Sequence, residues 1–114
     1  MERVRVIRLL HVREGREADF VESYQGVLER AVRFPGHLGE QLGRSIDHPA
    51  RWLLTSEWDS LESVEQWRAD PDHQALVAPM NACLHDDRWT AVFRIRETAD
   101  AQRGPKGETG LTSM

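Results

Sequence analysis

Residues 4–12 read VRVIRLLHV, and this segment constrains the fold more than any other. Side chains alternate across a β-strand. Val4, Val6, Leu10 and Val12 therefore share one side with Arg8, while Ile7 and Leu9 share the other with Arg5 and His11. Both faces are at least partly apolar, so both need cover. Arg8 adds a second demand. A guanidinium set among valines and leucines cannot shed its proton, and an unpaired buried cation is costly. It needs an anion, supplied either by the protein (Glu57, Glu65 or an acid of the first helix) or by a ligand, unless the side chain snorkels to the rim.

The following residues cover one face. Glu17 to Phe34 carries Phe20, Tyr24, Val27, Leu28 and Ala31 at helical spacing, and Pro35-Gly36 stops it. His37 to Ser45 is a weaker strand whose glycines permit a bulge. Residues 46–50 form a hairpin loop, and Arg51 to Trp58 is a strong strand. Asp59 to Ala69 is a helix that Asp59 can cap, with Glu62 completing a capping box; Leu61, Val64 and Trp67 mark its buried face. After Asp70-Pro71, Asp72 starts a short helix that Pro79 is expected to divide. Arg88 to Glu97 is the last strand, and residues 98–114 are a polar, glycine-rich tail expected to be mobile.

The order β-α-β-β-α-β, with an extra helical turn before the last strand, predicts an α+β fold. It is the ferredoxin-like arrangement, a four-stranded antiparallel sheet with helices on one face and the first and third strands central. One domain spans residues 1–97. The bare sheet face carries Ile7, Leu9 and Leu53, and a second copy of the chain is its simplest cover, so a homodimer with sheets face to face is expected.

Composition narrows the partners. A net charge of -4 with scattered arginines argues against nucleic acid. Cys83 is the only cysteine, which excludes an internal disulfide or a multi-cysteine zinc site. No apolar run suits a signal peptide or a bilayer span, so the expectation is a cytoplasmic protein that does not engage the membrane.

Four motifs stand out: Pro35-Gly36-His37-Leu38-Gly39, Glu57-Trp58-Asp59-Ser60, Glu65-Gln66-Trp67 and Asp70-Pro71-Asp72-His73. Together they resemble the antibiotic biosynthesis monooxygenase (ABM) domain family of dimeric α+β barrels, over residues 3–97. That resemblance implies cofactor-free oxygenases that turn anthrones or quinols into quinones, or haem-degrading oxygenases. The haem branch uses a first-strand asparagine, a tryptophan on the second helix and a histidine ligand nine or ten positions on. Here these fall on Arg8, Trp67 and Leu76 or Val77, and neither aliphatic residue can bind iron. The anthrone branch matches at Trp58, but its asparagine is replaced by Leu54 and its tyrosine by Val64.

Candidate site residues follow. Arg8 either pairs internally or holds the enolate, phenolate or carboxylate of a ligand. Trp58 and Trp67 are either core or the walls of a pocket for flat rings. His73 is either a local cap or a general base. Tyr24, Trp52, Leu54 and Met80 complete the expected substrate lining. Cys83 reads as a small core residue, Ser56 has no visible triad, and His11, His37 and His48 lack ligand spacing, so no metal is expected.

The expected function is a cofactor-independent monooxygenase that uses dioxygen on an electron-rich aromatic (phenol, anthrone or quinol) in polyketide or antibiotic biosynthesis. In it Arg8 holds the substrate anion, Trp58 and Trp67 sandwich the rings, and His73 or water takes the proton. Two alternatives stay open: a polyketide cyclase, and a non-catalytic dimeric binding or assembly module.

Overall fold

The computed structural model describes residues 2–101. The elements run β1 (Val4–His11), α1 (Glu17–Ala31), β2 (His37–Arg44), β3 (Arg51–Trp58), α2 (Leu61–Ala69), α3 (His73–Asn81) and β4 (Trp89–Arg94). The strands form one antiparallel sheet in the order β2-β3-β1-β4. The first and third strands are therefore central, as the crossover rule requires, and the fold is the ferredoxin-like α+β arrangement.

On the helix-facing side, Phe20, Tyr24, Val27 and Ala31 of α1 are buried. Phe20, Tyr24 and Val27 close over Leu10, Leu54, Met80, Cys83 and Leu84. A second cluster of Val4, Val6, Trp58 and Val64 fills the other end, and Trp67 packs against both. On the far side, Leu9 pairs with Leu53 on one flank and Trp89 on the other, and all three are exposed, as is Phe93. Glu57 also lies on that far side, accepting from Arg3 at 2.8 Å and from Arg5 at 2.9 Å.

Several boundaries differ from the sequence reading. Helix α1 stops at Ala31, three residues short of Phe34, because Gly36 turns the chain with a φ of +94°. Helix α2 is capped by Ser60, whose Oγ accepts from the Ser63 backbone N–H at 3.1 Å, rather than by Asp59. The Asp59 N–H is held by the Gly36 carbonyl at 2.8 Å. The Asp59 carboxylate instead accepts from the Ser60 and Ser63 hydroxyls at 3.1 and 2.7 Å. Helix α3 continues through Pro79, which sits two residues from its end and forfeits a single backbone bond there. The extra helical turn is thus a full helix. Strand β4 ends at Arg94; residues 98–101 carry no regular structure, and the rest of the expected tail lies outside the described residues. No helix among the described residues is long and apolar enough to cross a membrane.

Gly36 ties β2 to α2. Its carbonyl holds Asp59, and a Cβ there would collide with the Ser63 and Asp59 side chains. Gly15 also has positive φ, at +81°, but open space around it. Gly36→Ala should cost about 2–4 kcal/mol, from left-handed backbone strain plus overpacking. Gly15→Ala should cost only about 1–2 kcal/mol, from strain alone. Urea denaturation of both variants reads the difference.

Candidate active site

A cavity of about 510 Å³ lies between the sheet and the three helices, within the range of small-molecule sites. Two cross-strand rows form its floor: Leu54, Arg8 and Thr90, then Glu40, Ser56, Val6 and Val92. Helix α1 contributes Val27 and Ala31, one turn apart. Helix α2 contributes Val64, Trp67 and Arg68, and α3 contributes His73, Val77, Met80 and Asn81. Those spacings of three and four residues put each set on one helical face.

Arg8 is half-buried on this floor and makes no ion pair among the described residues. Its cross-strand neighbours are Leu54 and Thr90, neither of them acidic. Glu57 is on the opposite face with Arg3 and Arg5, and Asp70 pairs with Arg30 at 2.6 Å. Burial, then the charges of Arg88 and Arg68, lower the Arg8 pKa from its usual value, yet a guanidinium stays cationic at neutral pH. The internal carboxylate that the sequence offered as one partner is not provided.

His73 faces the same space. Its pKa is lowered, first by burial and then by the Arg8 charge, with Asp70 opposing. Its Nδ1 is buried without a hydrogen-bond partner, and so is Oδ1 of Asn81. Its ring sits edge-on to Trp67, with centroids 4.8 Å apart. A neutral imidazole beside a fixed cation is a competent proton acceptor.

The two indoles both line the cavity, but not as facing walls. Their ring centroids are 6.0 Å apart with a 35° tilt. A ring inserted between them would need about 7 Å, two van der Waals contacts. They form one continuous wall, which corrects the expected sandwich. Trp58 is fixed in it: its Nε1 donates to Ser56 Oγ at 3.0 Å, and the His37 ring meets it edge-on at 4.9 Å.

Leu54 and Met80 line the cavity as expected, whereas Tyr24 and Trp52 do not. The Tyr24 hydroxyl donates to Glu40 Oε2 at 2.7 Å, and His37 Nε2 lies 2.9 Å from Glu40 Oε1. Burial, then this hydrogen bond and the Glu40 charge, raise the Tyr24 pKa. Tyr24 thus supports a cavity residue from behind. Trp52 is drawn away by Phe20, edge-on at 5.2 Å, and by Arg44 over its ring at 5.0 Å.

The antibiotic biosynthesis monooxygenase family profile matches residues 3–79. The chain belongs to that family. It is 36% identical over 106 residues to the 42.8 kDa protein in the whiE locus of Streptomyces coelicolor, covering 93% of this chain and 26% of that protein. It is 33% identical over 96 residues to the polyketide synthase CurD of Streptomyces cyaneus, covering 84% of this chain and 26% of that protein. The chain spans about a quarter of the length of these relatives. Among solved structures, SnoaB, a cofactor-independent oxygenase from Streptomyces nogalater, superposes with a TM-score of 0.78 at 17% identity, over 86% of this chain and 97% of that one. At that identity the match shows a shared fold.

Within the ABM fold, Leu54 and Val64 make apolar the two positions where the resemblance to the anthrone-oxidising branch calls for polar groups. The polar side chains of this ABM cavity include Arg8, Glu40, Ser56, Arg68, His73, Asn81 and Thr90 instead. Glu40, Asn81 and Arg68 escaped the sequence reading. Glu40 reaches this face because β2 shifts register between His37 and Gly39, reversing the alternation. Asn81 lies eight residues after His73, a same-face spacing that is visible only if α3 passes through Pro79.

The lowered pKa of His73 has a defined consequence. The unfolded chain binds this proton more readily than the folded one. Stability therefore falls as pH drops below the ordinary histidine value near 6.5, down through the lowered folded-state value. Arg8→Gln removes one cause of the shift, so the His73 ring resonances followed by NMR should titrate at higher pH in that variant.

Proposed function

We propose that this cavity oxidises an electron-rich aromatic, a phenol, anthrone or quinol of a polyketide pathway, with dioxygen and without metal or flavin. The observation that carries the reading is Arg8, a half-buried guanidinium that faces the cavity with no carboxylate partner among the described residues. Such a cation favours an anionic ligand. His73, neutral and adjacent, accepts the substrate proton. Arg8 holds the oxygen on which the charge settles, and the Trp58–Trp67 wall stacks one face of the rings.

The deprotonated substrate can pass one electron to dioxygen, and the resulting pair combines to form a carbon–oxygen bond. For an anthrone methylene the hydroperoxide then loses water to leave a carbonyl. One oxygen atom enters the product and the other leaves as water. All four electrons come from substrate, so no external reductant is needed. The low-polarity surroundings strengthen the Arg8 interaction with the anion. The names of SnoaB and CurD support the oxygenase and polyketide context.

A cyclase is the second reading. Leu54 and Val64 supply no polar groups, and Arg8 with His73 suits an enolate in an aldol closure equally well. For either chemistry we infer a homodimer joined through the far sheet face, supported by the exposed row of Leu53, Leu9 and Trp89. The free, buried Cys83 fits a cytoplasmic location.

Oxygen-electrode traces with anthrone and hydroquinone substrates should show uptake matched to quinone formation. Arg8→Gln should lower kcat/KM about 100-fold. Product formed under nitrogen at an undiminished rate defeats the oxygenase reading and leaves the cyclase. Sedimentation equilibrium should give twice the chain mass, and Leu9→Asp with Leu53→Asp should give the monomer.

A further inference from the structure

Two arginines line this cavity, and the charge of a third acts on it. Arg8 is on its floor, and Arg68 lines it from the last turn of α2. Arg88 stands two residues before Thr90, the cross-strand partner of Arg8. None of the three has a carboxylate partner among the described residues; Arg88 reaches only the His85 carbonyl, at 3.4 Å.

The chain has acids to spare, 19 against 15 basic residues. Those nearest in sequence are engaged elsewhere: Asp70 with Arg30 at 2.6 Å, and Asp87 with Arg51 and His11, each at 3.3 Å. An acidic protein thus leaves three like charges close enough to act on one another, two of them in the cavity lining. The charges of Arg88 and Arg68 also act on Arg8, after burial, to lower its pKa. Mutual repulsion of this kind is relieved by bound negative charge.

Arg8 is half-buried, whereas Arg68 and Arg88 are exposed. One anionic oxygen held at the floor cannot also meet both exposed side chains. We propose that the ligand is a dianion: an aromatic whose ionised ring oxygen meets Arg8 and whose skeleton bears a carboxylate read by Arg68 and Arg88. This rests on the aromatic-substrate reading above and adds the charge and position of a second group. A carboxylate matches the guanidinium fork in shape as well as sign. In this arrangement Arg68 and Arg88 determine specificity, and the proton transfer stays with His73.

The test compares two probes, a dihydroxyanthraquinone and its ring-carboxylated derivative, by quenching of tryptophan fluorescence. Trp58 and Trp67 line the cavity and report occupancy. The carboxylated probe should bind at least about fivefold tighter at low ionic strength, as expected for charge-assisted hydrogen bonds discounted for exposure. Salt should erode that advantage. The double variant Arg68→Gln, Arg88→Gln should abolish it, bringing the two probes to equal affinity. Equal binding of the two probes by the native protein overturns the dianion proposal and leaves the aromatic cavity standing. So does an advantage that persists in the double variant. If neither probe binds, the aromatic reading falls, and this proposal with it.

Discussion

Strand β1 lies between β3 and β4, so its residues from Val4 to Leu9 answer to two strands and one of two faces. Leu10 and Val12 secure the core beneath α1 and α3, and Val4 and Val6 secure the cluster around Trp58. Ile7 and Leu9 stay on the uncovered face. Arg8 is the exception. It occupies a helix-side position between Leu54 and Thr90, where packing alone would favour an aliphatic residue. The structure tolerates it by leaving a void rather than by placing a counter-ion. The floor of the cavity and the unpaired charge are therefore the same feature.

The helical roof is fixed around that void by short-range chemistry at its ends. Gly36 turns the chain so that its carbonyl receives the Asp59 N–H, and Ser60, Ser63 and Asp59 form a closed hydroxyl–carboxylate cluster beside it. This joins the end of β3 to the start of α2, placing Trp58 and Trp67 on one wall. Behind the floor, Tyr24 and His37 hold both oxygens of Glu40, and His37 also packs on Trp58. Helix α3 then brings His73 and Asn81 to the same face, each with a buried polar atom unpaired. Unpaired buried polar atoms cost stability where nothing binds, and their grouping with Arg8 is consistent with a polar ligand.

Much of the fold was legible because periodicity is a local property. The alternation of β1 and β3, the spacing along α1, and the Pro35-Gly36 stop each identify an element without reference to its neighbours. The errors fall where residue type alone does not decide. Asp59 had the chemistry of a cap, but its carboxylate accepts from the Ser60 and Ser63 hydroxyls and Ser60 caps instead. Pro79 had the chemistry of a breaker, but two residues from the helix end it forfeits a single backbone bond. The register shift after His37 brings Glu40 to the helix side, a placement that no local pattern in β2 marks.

The sequence by itself determined the order of the elements, the two-faced apolar character of β1, and the presence of a cation that needed a partner. Those follow from residue type and spacing, which act within a few residues along the chain. Only the tertiary structure decided that no carboxylate pairs with Arg8, that the indoles make one wall, and that Tyr24 and Trp52 face the core. These depend on strand register and helix docking, which bring together residues far apart in the chain, and no local pattern encodes which acid reaches which base.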